Sequence, residues 1–227
     1  MATPDFDPAL ARTVTAETLA PQQQRSARRL RTAADLRLQW MLKHPHLSEF
    51  HSRAEHLHAA LLEGAPAVSG YVPQPFRLRV RRQLYTPDCY VVSDAGPRRV
   101  VEIKPRGVLR EELREPLAHF FAARGLQFEV ISNESVFERE TEAENWAEIV
   151  RVLHQSRTLE TAEAEYAVLE RLANRGPCTL GDLVDAGDRE RTYTHEIALL
   201  RLVHRGHLRA SLTERRLDFD TEIGPCT

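Results

Sequence analysis

The sequence predicts an α/β protein, a mixed sheet flanked by helices, followed by a smaller C-terminal domain of helices that ends in a β-hairpin. Three observations lead there. Apolar residues alternate or run as strands over 76–80, 84–92 and 99–104. A helical stretch over 110–124 then leads into a further strand at 126–131. Beyond residue 158, three helical stretches precede two short strand-like pieces. A chain of 227 residues accommodates two domains at ~100–200 residues each.

The elements follow in order. Residues 1–35 are rich in Ala, Thr, Gln and Arg without a sustained apolar period, and are expected to form a flexible N-terminal arm with a basic helical stretch around Arg25–Arg31. Residues 34–42 and 49–63 carry apolar residues at helical spacing (Leu57, Ala60, Leu61), and Gly64-Ala65-Pro66 stops the second of these helices. The strands 76–80 and 84–92 follow, and Ser93-Asp94-Ala95-Gly96-Pro97 supplies the turn into the strand Arg99–Lys104. The helix Arg110–Arg124 is begun or interrupted by Pro116, and Gly125 ends it before the strand Leu126–Ile131. A helix over Glu138–Gln155, acidic first and apolar later, closes a domain spanning 36–157. In 158–227, helices near Ala162–Asn174, Leu180–Asp185 and Arg191–His204 and the pieces Leu208–Leu212 and Leu217–Phe219 read as a winged helix.

Composition narrows the functional classes. The chain is 42% apolar and 28% charged, as a folded chain is. No apolar run approaches the ~18 residues of a membrane span. The start, Met-Ala-Thr-Pro-Asp, has no basic and apolar leader, so a cytoplasmic location is expected. Cys89, Cys178 and Cys226 are too scattered for a disulfide framework or a thiolate zinc site. A net charge of −2 disfavours a protein that blankets nucleic acid, so any DNA contact must be local. Among 31 basic residues only Lys43 and Lys104 are lysines, which gives weight to a lysine in a chemical motif.

The densest signal is Pro87-Asp88, a hairpin turn, and then Glu102-Ile103-Lys104. Residues two apart on a strand share a face, so Glu102 and Lys104 project together while Val101 and Ile103 point to the core. Asp88 can lie opposite them on the partner strand. Two carboxylates with the Ile103 carbonyl nearby form an oxygen-rich site for Mg²⁺, with Lys104 at its edge. That chemistry suits phosphodiester hydrolysis, in which metal activates water and offsets growing charge while Lys104 orients the water or stabilises that charge. The same residues also suit a proline-started edge strand carrying a solvent salt bridge.

The stretches Ser52–Glu63 and Val68–Pro75, followed by the Pro-Asp…Glu-Ile-Lys-Pro hairpin, resemble the TnsA-type endonuclease subunit of heteromeric bacterial transposases over about residues 49–155. The resemblance implies a restriction-endonuclease-like fold followed by a winged helix, and a metal-dependent nuclease that cuts the 5′ transposon ends. Glu55 falls at the place of that family's helical glutamate and Gln74 at the place of its later glutamine. The resemblance thereby implies a catalytic set of Glu55, Asp88, Glu102 and Lys104, with Glu55, Asp88, Glu102 and the Ile103 carbonyl holding Mg²⁺, or Mn²⁺ as a substitute. The implied partners are double-stranded DNA at transposon ends, an RNase-H-type transposase subunit and an ATPase regulator, with no membrane. Some members carry Gln where this chain has Glu102, and Cys89 and Tyr90 replace the usual Phe and Leu. The alternatives are a stand-alone restriction or repair nuclease, and a non-catalytic winged-helix regulator or assembly factor.

Other signals are weaker. Arg77, Arg79 and Arg81 share a strand face that suits a DNA backbone or simply solvent, with Arg82 beside them, and Arg106 and Arg110 follow Lys104 toward the site of chemistry. His44, His46, His51, His56 and His58 crowd together without zinc-ligand spacing. Tyr71 and Trp146 read as packing residues. Arg189, Arg191, Thr192, Thr194 and His195 could face a major groove, but residues 158–227 hold nine basic against thirteen acidic residues, a net of −4. Docking onto a protein is at least as well supported there.

Overall fold

A computed structural model describes residues 6–24 and 35–226. The chain divides into two compact units. One is built from Met1–Gln39, Lys43–His56 and Ala67–Glu138, the other from Trp40–Leu42, Leu57–Pro66 and Arg139–Thr227. Among the described residues no helix is long and apolar enough to cross a membrane.

The first unit is organised by a sheet in the order β4 (Val68–Pro73), β7 (Cys89–Ser93), β8 (Arg98–Lys104), β9 (Leu126–Ser132). β4 with β7 and β7 with β8 are antiparallel, whereas β8 and β9 are parallel and joined through helix α3 (Glu111–Ala122). The sheet is therefore mixed, as expected. The β7–β8 hairpin turns at Gly96, whose φ of 91° suits a residue without Cβ. Val100, Val101, Glu102 and Ile103 are all buried, so β8 is covered on both faces. The expectation that only Val101 and Ile103 point inward is corrected, because Val100, on the face that Glu102 shares, packs into the core with Leu117, Phe120 and Phe121 of the helix, so that face is covered as well.

α3 runs through Pro116 without stopping. The proline removes one backbone donor, but Leu113, Leu117, Phe120 and Phe121 on the same helix are buried in the core with Phe76, Leu78, Tyr90 and Val100. Burial of that apolar stripe outweighs the lost bond.

Three expectations about this unit are revised. Residues 6–24 are not a free arm: α1 (Pro8–Ala11) is capped by Asp7, and β1 (Val14–Ala16) pairs with β5 (Leu78–Val80), burying Val14. A three-residue strand is too short to leave a period in sequence. The basic stretch Arg25–Arg31 lies outside the described residues. The helix expected over 34–42 is instead strand β2 (Arg37–Trp40) paired with β3 (Leu47–Phe50). Leu36, Leu38, Trp40 and Leu42 recur every second residue, and that strand period prevailed. The single strand over 84–92 divides into β6 (Gln83–Tyr85) and β7, because Pro87 cannot donate to a ladder. β4 is an additional strand, and α4 (Asn133–Phe137) an additional short helix after β9.

The second unit contains α5 (Glu140–Gln155), α6 (Ala162–Arg175), α7 (Arg189–His204) and a sheet in the order β10 (Cys178–Thr179), β12 (Glu222–Pro225), β11 (Leu208–Ala210). The chain enters it within α2 (Arg53–Glu63), whose residues from Leu57 onward belong to it. α5 belongs to it as well, so a boundary at 157/158 does not describe these units. Asn145 of α5 is buried and donates to the carbonyls of Leu212 and Arg215, both 2.8 Å away, while its own carbonyl accepts the Leu217 N–H. Those bonds hold 211–221 as a loop, so the second hairpin strand falls at 222–225 in place of 217–219. Gly64 lies under the Trp146 ring, where a Cβ would sit 2.1 Å from ring atoms.

Candidate functional site

The first unit brings four sequence-selected residues to one end of its sheet. Cys89 pairs with Val101, which sets Asp88 beside Glu102, and Ile103 donates its backbone N–H to Asp88 Oδ2 at 2.7 Å. On the other side of Asp88, its carbonyl accepts the Gln74 N–H at 2.9 Å. Gln74, Asp88 and Glu102 thus stand in line across three strands. Lys104 follows two residues along β8, on the side of the strand that carries Glu102.

Glu55 arrives from the first turn of α2. Ser52 and Glu55 have the spacing of a capping box: the Ser52 hydroxyl accepts the Glu55 N–H at 3.2 Å and donates to Glu55 Oε1 at 2.9 Å. The His51 N–H donates to Oε2 at 3.1 Å. Gln74 Nε2 donates to the same oxygen at 2.6 Å, tying the helix to the sheet. Gln74 is buried and holds a φ of 40°, unusual for a side-chain-bearing residue, as the chain leaves β4 between Pro73 and Pro75. Its position therefore serves the Glu55 contact at a backbone cost.

The electrostatics are those of crowded acids with one cation. Lys104 Nζ lies 2.5 Å from Glu102 Oε1 and 3.7 Å from Asp88 Oδ2. Burial, then the charge of Glu55, pushes the Asp88 carboxyl up to about 7. Burial, then the charge of Asp88, pushes Glu102 up to about 7. Glu55 is raised by burial, against the His51 and Ser52 hydrogen bonds and the charge of Lys104. Burial would lower Lys104, but Asp88 and Glu102 prevail and its ammonium titrates above its usual range. Each acid is costly to ionise, and the lysine cannot offset three of them.

Among the described residues, Glu102 Oε2 and the Tyr85 hydroxyl are buried without a hydrogen-bond partner. Burial and the Glu102 charge raise the Tyr85 phenol, so the two groups approach each other without meeting hydrogen-bond geometry. A carboxylate oxygen left bare in the interior is an acceptor for a cation or water. Among the described residues, no group of three or more His, Cys, Asp or Glu side chains is close enough to form a ready metal cage. The donor set is nonetheless all oxygen, which suits a hard divalent cation better than zinc or copper.

No protein-family model matches the chain, and no curated protein matches it by sequence.

The arginines divide. Arg77 and Arg79 are exposed on and beside β5, and Arg79 pairs with Leu84. Arg81 and Arg110 meet at one depression together with Arg82, which sequence reading did not join to Arg110. Arg106 has a φ of 58° in the turn after Lys104 and donates its N–H to Glu134 at 2.8 Å. Of the histidines, His44 is buried against the Ser48 hydroxyl at 2.8 Å and His56 meets Gln39 Oε1 at 2.7 Å. Tyr71 and Trp146 are core residues, and Cys89 and Tyr90 are buried in β7. Sequence reasoning missed Ser52 as an anchor, although its three-residue spacing to Glu55 was visible, and missed Tyr85, for which no spacing signal exists.

Proposed function

We propose that the chain is a metal-dependent DNA endonuclease subunit of a heteromeric transposase, hydrolysing phosphodiesters at the 5′ transposon ends. The observation that carries this reading is the convergence of Asp88, Glu102 and Lys104 at one sheet end, with Glu55 tied to the same place through Gln74. The resemblance to TnsA-type nucleases names the same residues. The β8–α3–β9 crossover beside the antiparallel β4–β7–β8 ladder suits a restriction-endonuclease-like core. The α6, α7 and β10–β12–β11 arrangement suits a winged helix.

Mg²⁺ fits this donor set: Glu55, Asp88 and Glu102, whose Oε2 is bare, and the Ile103 carbonyl would hold it, with Mn²⁺ as a substitute. Such an ion supplies an activated water and countercharge for the phosphate. The chain's own groups do the rest. Gln74 and the His51 N–H fix the direction of Glu55, and the Ile103 N–H fixes Asp88. Lys104, at the more open edge of the cluster, gives up its Glu102 contact and donates to the attacking water or to a non-bridging phosphate oxygen. Arg77, Arg79, Arg81, Arg106 and Arg110 hold the duplex by its backbone.

Delivery by a partner fits the second unit better than groove reading by its own α7. Arg189 is paired with buried Glu196 at 2.5 Å, and Arg191 with Asp188 at 3.2 Å and Asp185 at 3.5 Å. The arginines that would read bases already face carboxylates of their own unit. An RNase-H-type transposase subunit and an ATPase regulator are the proposed partners.

A non-catalytic assembly role is the second reading, favoured by the lack of a ready metal cage among the described residues. Nicking of a labelled duplex carrying a transposon end, with Mg²⁺ and with or without the transposase, tests both. Cleavage that is lost in Asp88→Ala and Lys104→Ala supports the endonuclease. Cleavage without a partner favours a stand-alone nuclease, and 5′ processing unchanged by Asp88→Ala leaves the assembly role.

A further inference from the structure

The turn of the β5–β6 hairpin faces the start of α3 across a depression of about 340 Å³. Arg81 and Arg82 line it from the turn and Arg110 from the residue that precedes α3, so residues nearly thirty positions apart meet there. All three arginines are exposed, while Val80 and Leu113 beneath them are buried. The apolar floor supports guanidinium stems and leaves their donors outward. Gln83 accepts from Arg110 Nη2 at 3.4 Å, a long bond that engages one of that guanidinium's five N–H donors. Among the described residues, Glu112 is the one carboxylate in the lining, against three guanidiniums.

Arg81 itself is held at a φ of 53°, where glycine would be at ease, and its N–H donates to the Thr13 carbonyl at 2.7 Å. An exposed arginine held at a φ better suited to glycine calls for a reason, and a ligand for its guanidinium supplies one.

We propose that Arg81, Arg82 and Arg110 form a seat for one internucleotide phosphate of duplex DNA, away from the scissile phosphate. This rests on the endonuclease reading for its ligand and extends it. The seat sets where the strand lies, since β6 runs directly from Gln83 to Tyr85 at the carboxylate cluster and Arg110 lies six residues beyond Lys104. A guanidinium fork matches a phosphate's paired oxygens, and a seat of three gives direction as well as charge.

The test is the salt dependence of duplex binding by the full chain, read by fluorescence anisotropy in EDTA so that no cleavage intervenes. Arg82→Gln and Arg110→Gln each reduce the slope of log K against log[KCl] by about one and weaken binding several-fold, roughly equally across sequences. Arg98→Gln, an exposed arginine at the start of β8, leaves the slope unchanged. Arg81→Gly weakens binding while the melting temperature stays level or rises, which a structural role for Arg81 would not produce. In the cleavage reaction the seat variants raise KM by about the factor by which they weaken duplex binding. Slopes equal to wild type, no duplex binding by the wild type, or an effect seen only with 5′-phosphorylated duplex overturns the seat. If the slopes fall as stated but no metal or partner elicits cutting, the seat stands and the endonuclease reading fails. If cutting occurs and the slopes do not move, the reverse holds.

Discussion

Lys104 Nζ stands 2.5 Å from Glu102 Oε1, and the carboxylate it meets is all but sealed from solvent, with 2% of its side chain exposed. The ammonium, about one-third exposed, is the link between that interior charge and the surface. In the protein without metal, the lysine is the group that keeps Glu102 and Asp88 from repelling each other outright.

Lys104→Met is therefore expected to lower stability by about 1–2 kcal/mol at neutral pH, less than the ~3–5 kcal/mol for breaking a fully buried pair because solvent screens this one. It also abolishes cutting. Added Mg²⁺ restores much of the lost stability without restoring activity, because a cation replaces the missing charge but not the donor. Urea denaturation with and without Mg²⁺ measures the first effect, and an unaltered midpoint would refute it.

Gln74 touches Glu55 rather than substrate. Gln74→Ala is expected to reduce cleavage by about ten- to a hundredfold, the usual range for groups that orient a metal ligand, with duplex affinity unchanged. Gln74→Asn, one methylene shorter, falls between. An equal loss in binding and cleavage would show that Gln74 serves the fold alone.

Protonation gives a third expectation. Asp88 and Glu102 titrate near 7 in the folded chain, and near 4 when unfolded. Between those values the folded state holds protons that the unfolded state has released, so this pair's contribution to stability falls as pH rises from about 4 to about 7, then levels. Melting curves of wild type minus Asp88→Asn/Glu102→Gln isolate that slope. Mg²⁺ competes with the same protons, so its stabilisation is larger at about pH 8 than at about pH 6 and vanishes in the double variant. A Mg²⁺ effect independent of pH would place the ion elsewhere.

In the second unit, Gly64→Ala drives a methyl into the Trp146 ring, which has little room to withdraw because it is 7% exposed. The expected loss is about 1–3 kcal/mol, typical of overpacking, read by chemical denaturation. Gly64→Ala combined with Trp146→Phe recovers part of it.

Local chemistry made much of the architecture legible. The β7–β8 hairpin followed from Ser93–Pro97 between two apolar runs, and α3, α5, α6 and α7 from helical periods long enough to stand above noise. Asp88, Glu102 and Lys104 could be grouped because a hairpin has a period of two and a short turn, so their relation is local. The shorter elements were misread. β1 has three residues and β10 two, and each is fastened by a partner more than forty residues away, Val80 for Val14 and Ile223 for Cys178.

The amino-acid order alone decided that Glu102 and Lys104 would share one side of a strand, since alternation is a property of the covalent chain, and that a short turn would bring Asp88 opposite them. Tertiary packing decided the rest. It buried Glu102 on a strand covered on both faces, brought Glu55 to the sheet through Gln74, orphaned Glu102 Oε2, and set Arg110 across from Arg81 and Arg82. Those relations depend on which distant surfaces meet once apolar area leaves water, and no local period encodes them.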